Sequence, residues 1–239
     1  WHDAELADLG NLIIAKLSAA RIIDDTSVAV GATIGVSVGP DDGQDIKMLT
    51  RSADLALYHG KGNGRGCCIR YQTAMQSEVD ERRLIENDLR DALEKGQISV
   101  AYQSIVSALD QAVVGHEALL RWEHPTRGFI SPAIFVPIAE EAGLINQIGD
   151  WVLHSACAEA THWAEHIRLS VNLSSFQVEG DGLLASVVHA LAASGLSADR
   201  LELEVTESVF LRQGSNGDEA LARLRAIGVS LALDDFGTG

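Results

Sequence analysis

The feature that most constrains this chain is the regular exchange, after Gly96, of short apolar runs with helix-like segments. The apolar runs fall at 98–106, 113–122, 167–173, 201–206 and 229–233. Segments with three- to four-residue apolar spacing fall around 132–142, 144–165, 181–194 and 217–227. Strand-sized runs alternating with helix-sized ones predict parallel β/α units. No glycine-rich dinucleotide fingerprint follows a strand. The pattern therefore predicts part of a (β/α)8, TIM-like barrel rather than an open nucleotide-binding sheet. A whole barrel takes roughly 250 residues, so its remaining strands are expected beyond Gly239.

The part before Gly96 has a different grammar. Leu6, Leu9, Ile13 and Leu17 space a helix over 4–21. The β-branched stretch 27–38 predicts a strand or hairpin. PDDG at 40–43 is a turn, 45–59 an amphipathic helix, and GKGNGRG at 60–66 ends that helix before a short strand at 67–71. A further charged helix is expected over 77–95, with Ser77 and Asp80 as a capping box and Gly96 as its C-cap. This gives an α+β segment over 1–75, a linking helix over 76–96 and a truncated barrel over 97–239. The chain starts at Trp1 and stops directly after a strand, so both ends are expected to be cuts.

The informative polar residues sit late in the predicted strands, and in a parallel barrel such positions converge at one mouth. Glu117, Asn172, Glu204 and the pair Asp234–Asp235 come from four different strands. In 201–206, Leu201, Leu203 and Val205 take one face while Glu202, Glu204 and Thr206 take the other. Carboxylates gathered inside a barrel are costly unless compensated. A divalent cation is the simplest compensation, and an all-oxygen donor set favours Mg²⁺ or Mn²⁺ over Zn²⁺. The adjacent Asp234 and Asp235 could serve two such ions, a pairing suited to hydrolysing a phosphodiester. Each residue also has a plainer reading. Glu117 alone could be a solvated rim residue, Asn172 could cap the following helix, and Asp234 and Asp235 could open a turn.

EALLRW at 117–122, VNLS at 171–174, ELEVTES at 202–208 and DDFGTG at 234–239 occur in this order. Together they resemble the EAL-type cyclic-di-GMP phosphodiesterases, over roughly residues 84–239. The resemblance implies that Glu117, Asn172, Glu204 and Asp234 are metal ligands, with Asp235 contributing to a second ion. It implies that Arg121 grips a substrate phosphate and that Gln103, in AYQSIV, faces the substrate. Ser104 stands where the family usually has proline. Glu207 matches a glutamate that anchors the loop starting at Phe236. The family's catalytic lysine, a later glutamate and a final glutamine are expected downstream. The implied activity is hydrolysis of cyclic-di-GMP to linear pGpG; the alternative is an inactive EAL domain that acts as a receptor. Pairing of two EAL domains is also implied.

The sequence ATIGVSV at 32–38, then PDDG and SADLALYHGKGNGRG at 52–66, resembles the C-terminal part of a GGDEF domain, over residues 1 to 72. Lys61 and Arg65 match basic residues that contact a nucleotide triphosphate there. Gly60 stands where alanine is usual.

Charge narrows the partners. The 34 acidic residues outnumber 18 basic ones, and the net charge of -16 disfavours binding to a nucleic-acid backbone. Cys67, Cys68 and Cys157 have neither disulfide nor zinc spacing, which fits a reducing, cytoplasmic setting. No apolar run is long enough to span a bilayer. His154, His162 and His166 lie in or near one helix without carboxylate or cysteine partners at zinc spacing, and read as helix-face or surface residues.

Overall fold

The computed structural model describes residues 2–24, 26–62, 64–180, 182–206 and 216–234; for residues 23, 216–218 and 234 the description is of the backbone only. The chain divides into two compact units, Trp1–Leu84 and Ile85–Gly239.

In the first unit, α1 (Asp3–Ser18) carries Asp3 and Glu5 in its first turn and Lys16 in its last, matching the helix dipole. The Glu5 carboxylate accepts the His2 backbone N–H at 2.9 Å. Leu9, Ile13 and Leu17, whose spacing predicts this helix, stay exposed. The stretch 27–38 is not a hairpin with itself. Its start, β2 (Thr26–Val28), pairs antiparallel with β1 (Arg21–Ile23). Its end, β3 (Ile34–Val36), pairs parallel with β4 (Cys68–Arg70) across the intervening helix α2 (Ile46–Gly62). A parallel partner needs a crossover of a dozen or more residues, and α2 supplies it. Gly35 permits the contact: a Cβ there would lie 2.1 Å from the Ala53 carbonyl oxygen of α2. Arg70 of β4 ion-pairs with Asp3 and lies 3.8 Å from Asp42.

Helix α3 (Thr73–Ala92) starts four residues before the predicted Ser77 cap. Thr73–Gln76 extend it, because Ala74, Met75 and Gln76 are good helix formers and Met75 is buried. Asp80 is engaged by the Gln76 amide one turn earlier, at 2.8 Å. Ile85, Leu89 and Ala92 form its buried face in the second unit. Gly96 ends the segment as expected, at φ 65°, with its N–H on the Leu93 carbonyl and that of Gln97 on Ala92.

The second unit is a mixed α/β fold around one sheet. Its strands are β5 (Ile98–Val106), β6 (Val113–His124), β8 (Arg168–Leu173), β9 (Leu201–Thr206) and β10 (Ser230–Asp234), ordered β10-β9-β8-β6-β5. A short β7 (Gly128–Ile130) pairs with β6 outside that path. Strands β6, β8, β9 and β10 run parallel, but β5 and β6 form an antiparallel hairpin. The parallel expectation fails there for a length reason. Residues 107–112 are too few for a crossover. They close a tight turn in which the Asp110 carboxylate accepts the Ala112 N–H and Gln111 sits at φ 60°.

Helices α4 (Pro132–Glu141) and α5 (Ile145–Ala160) connect β6 to β8. The short α6 (Ser175–Glu179) and then α7 (Leu183–Ser194) connect β8 to β9, and α8 (Asn216–Ala226) connects β9 to β10. Arg200, just before β9, terminates α5 by donating to the carbonyls of Ala160 and Ile167. The core lies between these helices and one face of the sheet. Leu169, Val171 and Leu173 meet Leu201, Leu203 and Val205 there, all 4% exposed or less. Burying a side chain of this size contributes about 1.5–3 kcal/mol. Small residues, Ala156, Cys157, Ala160 and Ala190, let α5 and α7 approach closely. Burial pushes the Cys157 thiol up to about 12, so it packs as an uncharged group.

Candidate active site

Residues directly paired across neighbouring strands project to the same face of a sheet. Gln103 of β5 pairs with Glu117 of β6, Glu117 with Ser170 of β8, and Ser170 with Glu202 of β9. Two residues further along β8, Asn172 pairs with Glu204 of β9, which pairs with Ala232 of β10. Asp234 pairs with Thr206. Gln103, Glu117, Asn172, Glu204 and Asp234 therefore share one face, opposite the one that carries Leu201, Leu203 and Val205. The alternation in 201–206 holds as expected: the leucines and valine are buried, Glu202 and Glu204 half-buried, and Thr206 exposed.

Strand β8 ties the two carboxylates together. The Asn172 amide Nδ2 donates to Glu117 Oε1 at 2.7 Å, which leaves its Oδ1 as an acceptor on the same face. Ser170 Oγ donates to Glu204 Oε1 at 2.5 Å. Ser170 is only 1% exposed, so its hydroxyl is a built feature rather than a solvated one. Sequence reasoning passed over Ser170. The available signal was a small polar residue two positions before Asn172, hence on the same strand face. Removing the hydroxyl as Ser170→Ala takes away the hydrogen bond by which β8 orients Glu204. For a divalent cation held at this face, Ser170→Ala is expected to raise the Mg²⁺ dissociation constant about 10- to 100-fold, as for other groups that orient a ligand. An unchanged metal dependence would show that Ser170 is structural only.

Asn172 does not cap the following helix. Ser174 does: its Oγ accepts the Phe176 N–H at 3.2 Å, and the Gln177 side chain accepts the Ser174 N–H at 3.1 Å. Ser174 Oγ also donates to Glu140 of α4 at 2.6 Å. The segment just beyond Asn172 is thus held from two sides.

Arg121 lies on the same face as Glu117, four residues further along β6, about 13 Å by strand rise. Its Nη1 donates to its own neighbour's carbonyl, Leu120, at 2.8 Å. Glu207 and Asp235 lie outside the described residues, as does the side chain of Asp234. Lys61 and Arg65 belong to the first unit, both exposed, at the end of α2 and in the glycine-rich turn after it. A cavity of about 420 Å³ lies mainly between the helices and the sheet, lined by Leu120, Val136, Val152, Val171 and Leu173, and reaches Asn172 and Thr206 at the strand ends. Glu117 and Glu204 do not line it, so this void is not the place where the carboxylates meet.

The donor set that can be described is Glu117, Asn172 and Glu204, all offering oxygen. Among the described residues, no three His, Cys, Asp or Glu side chains gather around one point. The set fits a hard, oxygen-bound divalent cation and does not fit a thiolate- or imidazole-bound one.

A family model for the EAL domain matches residues 86–239, well over half of the chain. The chain belongs to the EAL family. Over 99% of its length it is 44% identical to an uncharacterised signalling protein of Caulobacter vibrioides, of which the match covers 29%. It is 40% identical to MucR of Pseudomonas aeruginosa, described as a bifunctional diguanylate cyclase and cyclic-di-GMP phosphodiesterase, over 99% of this chain and 35% of MucR. The same organism's cyclic-di-GMP phosphodiesterase NbdA is 36% identical, over 100% of this chain and 31% of that protein. The chain thus spans about a third of the length of these relatives. Among solved structures, the PaMucR phosphodiesterase in complex with c-di-GMP superposes with a TM-score of 0.63 at 44% identity, covering 65% of each chain. The EAL domain of Xanthomonas citri FimX, also solved with c-di-GMP, gives 0.59 at 26% identity, covering 69% of this chain and 65% of that one.

Proposed function

We propose that the intact protein hydrolyses cyclic-di-GMP to linear pGpG, and that this chain supplies most of the metal-holding half of the site. The observation that carries the reading is the coupling of Glu117 to Asn172 and the register of Asn172 with Glu204, on one sheet face of an EAL domain. In this proposal Glu117, Asn172, Glu204, Asp234 and Asp235 hold the metal, and the second unit is part of a (β/α)8 barrel. Bound Mg²⁺ or Mn²⁺, as one or two ions, would polarise a phosphoryl oxygen and lower the pKa of an attacking water.

The chain's own residues bind and orient. Glu117 and Glu204 present carboxylates from two strands, each held by a hydrogen bond from β8 between them. Arg121 offers a planar fork that binds a phosphate through two parallel N–H donors. It would leave the Leu120 carbonyl to do so. Gln103, level with Glu117 on the neighbouring strand, contacts the substrate. Glu207 anchors the loop that starts at Phe236. A net charge of -16 repels an anionic dinucleotide at long range. Local cations at this one face, Arg121 and the bound metal, offset that repulsion.

The same proposal takes residues 1–75 as the end of a GGDEF domain, 76–96 as the link and 97–239 as the EAL part. The match to the bifunctional MucR covers 99% of the chain, so it includes residues before 86. The uncovered apolar face of α1 is what part of a larger domain presents. Lys61 and Arg65 would then belong to that domain's nucleotide site. Pairing through the EAL domain and a cytoplasmic setting complete the reading. Among the described residues no helix is long and apolar enough to cross a membrane.

The test is turnover. The intact protein is incubated with cyclic-di-GMP and Mg²⁺, and pGpG is quantified with and without EDTA. Product that vanishes with EDTA supports the phosphodiesterase. Tight binding of cyclic-di-GMP by folded protein with no product, in Mg²⁺ or Mn²⁺, would replace it with the receptor reading.

A further inference from the structure

On the outer side of the second unit, α5 and α7 pack against each other. Two side chains meet across their seam. His154 Nε2 of α5 and His189 Nδ1 of α7 lie 3.2 Å apart, with the rings edge to face at 75°. One turn earlier on each helix, Ser186 of α7 donates to the Asp150 carboxylate of α5. His154 is half-buried and His189 exposed.

A neutral imidazole pair can share one N–H···N hydrogen bond, and that alone would account for the contact. The separation has a second meaning. Nitrogen ligands sit about 2.0–2.1 Å from a tetrahedral ion, which sets them about 3.3 Å apart. The two ring nitrogens already stand at that spacing. They come from two helices whose positions the core fixes: Val152, Leu153 and Ala156 beside His154, and Val187 and Ala190 beside His189, are all 5% exposed or less. Reorienting the two rings, now edge to face at 75°, would turn both lone pairs toward one ion, and water would complete the coordination. The nearby Asp150 carboxylate adds negative charge one helical turn away.

We propose that His154 and His189 form a two-histidine binding site for a divalent transition-metal ion such as Zn²⁺, clamping α5 to α7. The donors are imidazole nitrogens, so the site selects borderline metals over Mg²⁺. This separates it chemically from the oxygen-lined face of the sheet, and it stands whether or not the protein hydrolyses cyclic-di-GMP. Bound metal bridges two helices that lie next to each other in space but 35 residues apart at the ligands.

The intact protein is titrated with Zn²⁺ by calorimetry in saturating Mg²⁺, which occupies oxygen sites. His154→Gln and His189→Gln are compared with the parent, and His162→Gln serves as control. Both target side chains reach solvent, so the variants are expected to fold. The expected result is that the parent binds one more Zn²⁺ per chain than either variant, while His162→Gln keeps that equivalent. Zn²⁺ should also raise the thermal midpoint of the parent more than that of either variant. Equal stoichiometry and affinity in parent, His154→Gln and His189→Gln would overturn the proposal and leave the pair as a hydrogen bond only.

Discussion

Glu117→Ala is expected to lower kcat/KM for cyclic-di-GMP by about 10³-fold or more in the intact protein, equivalent to about 4 kcal/mol of transition-state stabilisation. The size follows from what the carboxylate does in the proposed site. It gives one oxygen to Asn172 at 2.7 Å and has its second oxygen for the metal. Alanine removes a ligand charge and releases the Asn172 amide at once. Stability should hardly change, because Asn172 is exposed and water can take over its amide. Parent and variant should therefore melt together while pGpG formation collapses. A loss below about tenfold, with a normal melting curve, would take Glu117 out of the metal site.

Trp122→Ala is expected to cost about 3–5 kcal/mol of stability, a large share of the roughly 5–15 kcal/mol that holds a domain folded. Trp122 is fully buried in β6. It packs edge-on against Phe135 of α4, with centroids 5.5 Å apart, and against His124, at 5.8 Å. Its Nε1–H donates to the Gln97 side chain at 3.2 Å. Alanine opens a void the size of an indole in the place where α4, β6 and the start of β5 meet, and it strands the Gln97 oxygen. Trp122→Phe keeps most of the ring and loses the N–H, so a smaller loss of about 1–2 kcal/mol is expected. Urea unfolding followed by circular dichroism checks both. A midpoint for Trp122→Ala equal to the parent's would mean that this core does not limit stability.

Several elements could be read directly from the chain. The strands at 98–106 and 201–206 have the predicted bounds, and those at 113–122, 167–173 and 229–233 shift by only one or two residues at an end. Their apolar alternation is local, and burial on one sheet face enforces it. Gly96 as C-cap was legible for the same local reason, since a helix end needs a left-handed residue. The hairpin between β5 and β6 could have been recognised from its six-residue connection, but the general rhythm of β/α units obscured it. The parallel partnership of β3 with β4 was not legible, because nothing at 34–36 names a partner beyond α2.

Which residue types the sheet carries, and on which face, follows from the alternation along each strand: Glu204 opposite Leu203, Asn172 opposite Val171. Strand periodicity leaves no other arrangement once one face is buried. How far those residues are offset across strands is set by the packed sheet. The staggered register sets Glu117 level with Ser170 and Asn172 level with Glu204, so that Ser170 and Asn172 each reach a different carboxylate. Packing also set the fate of the histidines. From sequence, His154 has no partner at ligand spacing. Packing of α5 on α7 brings His189 to 3.2 Å, because side-chain neighbours across helices are chosen by the shape of the core and not by distance along the chain.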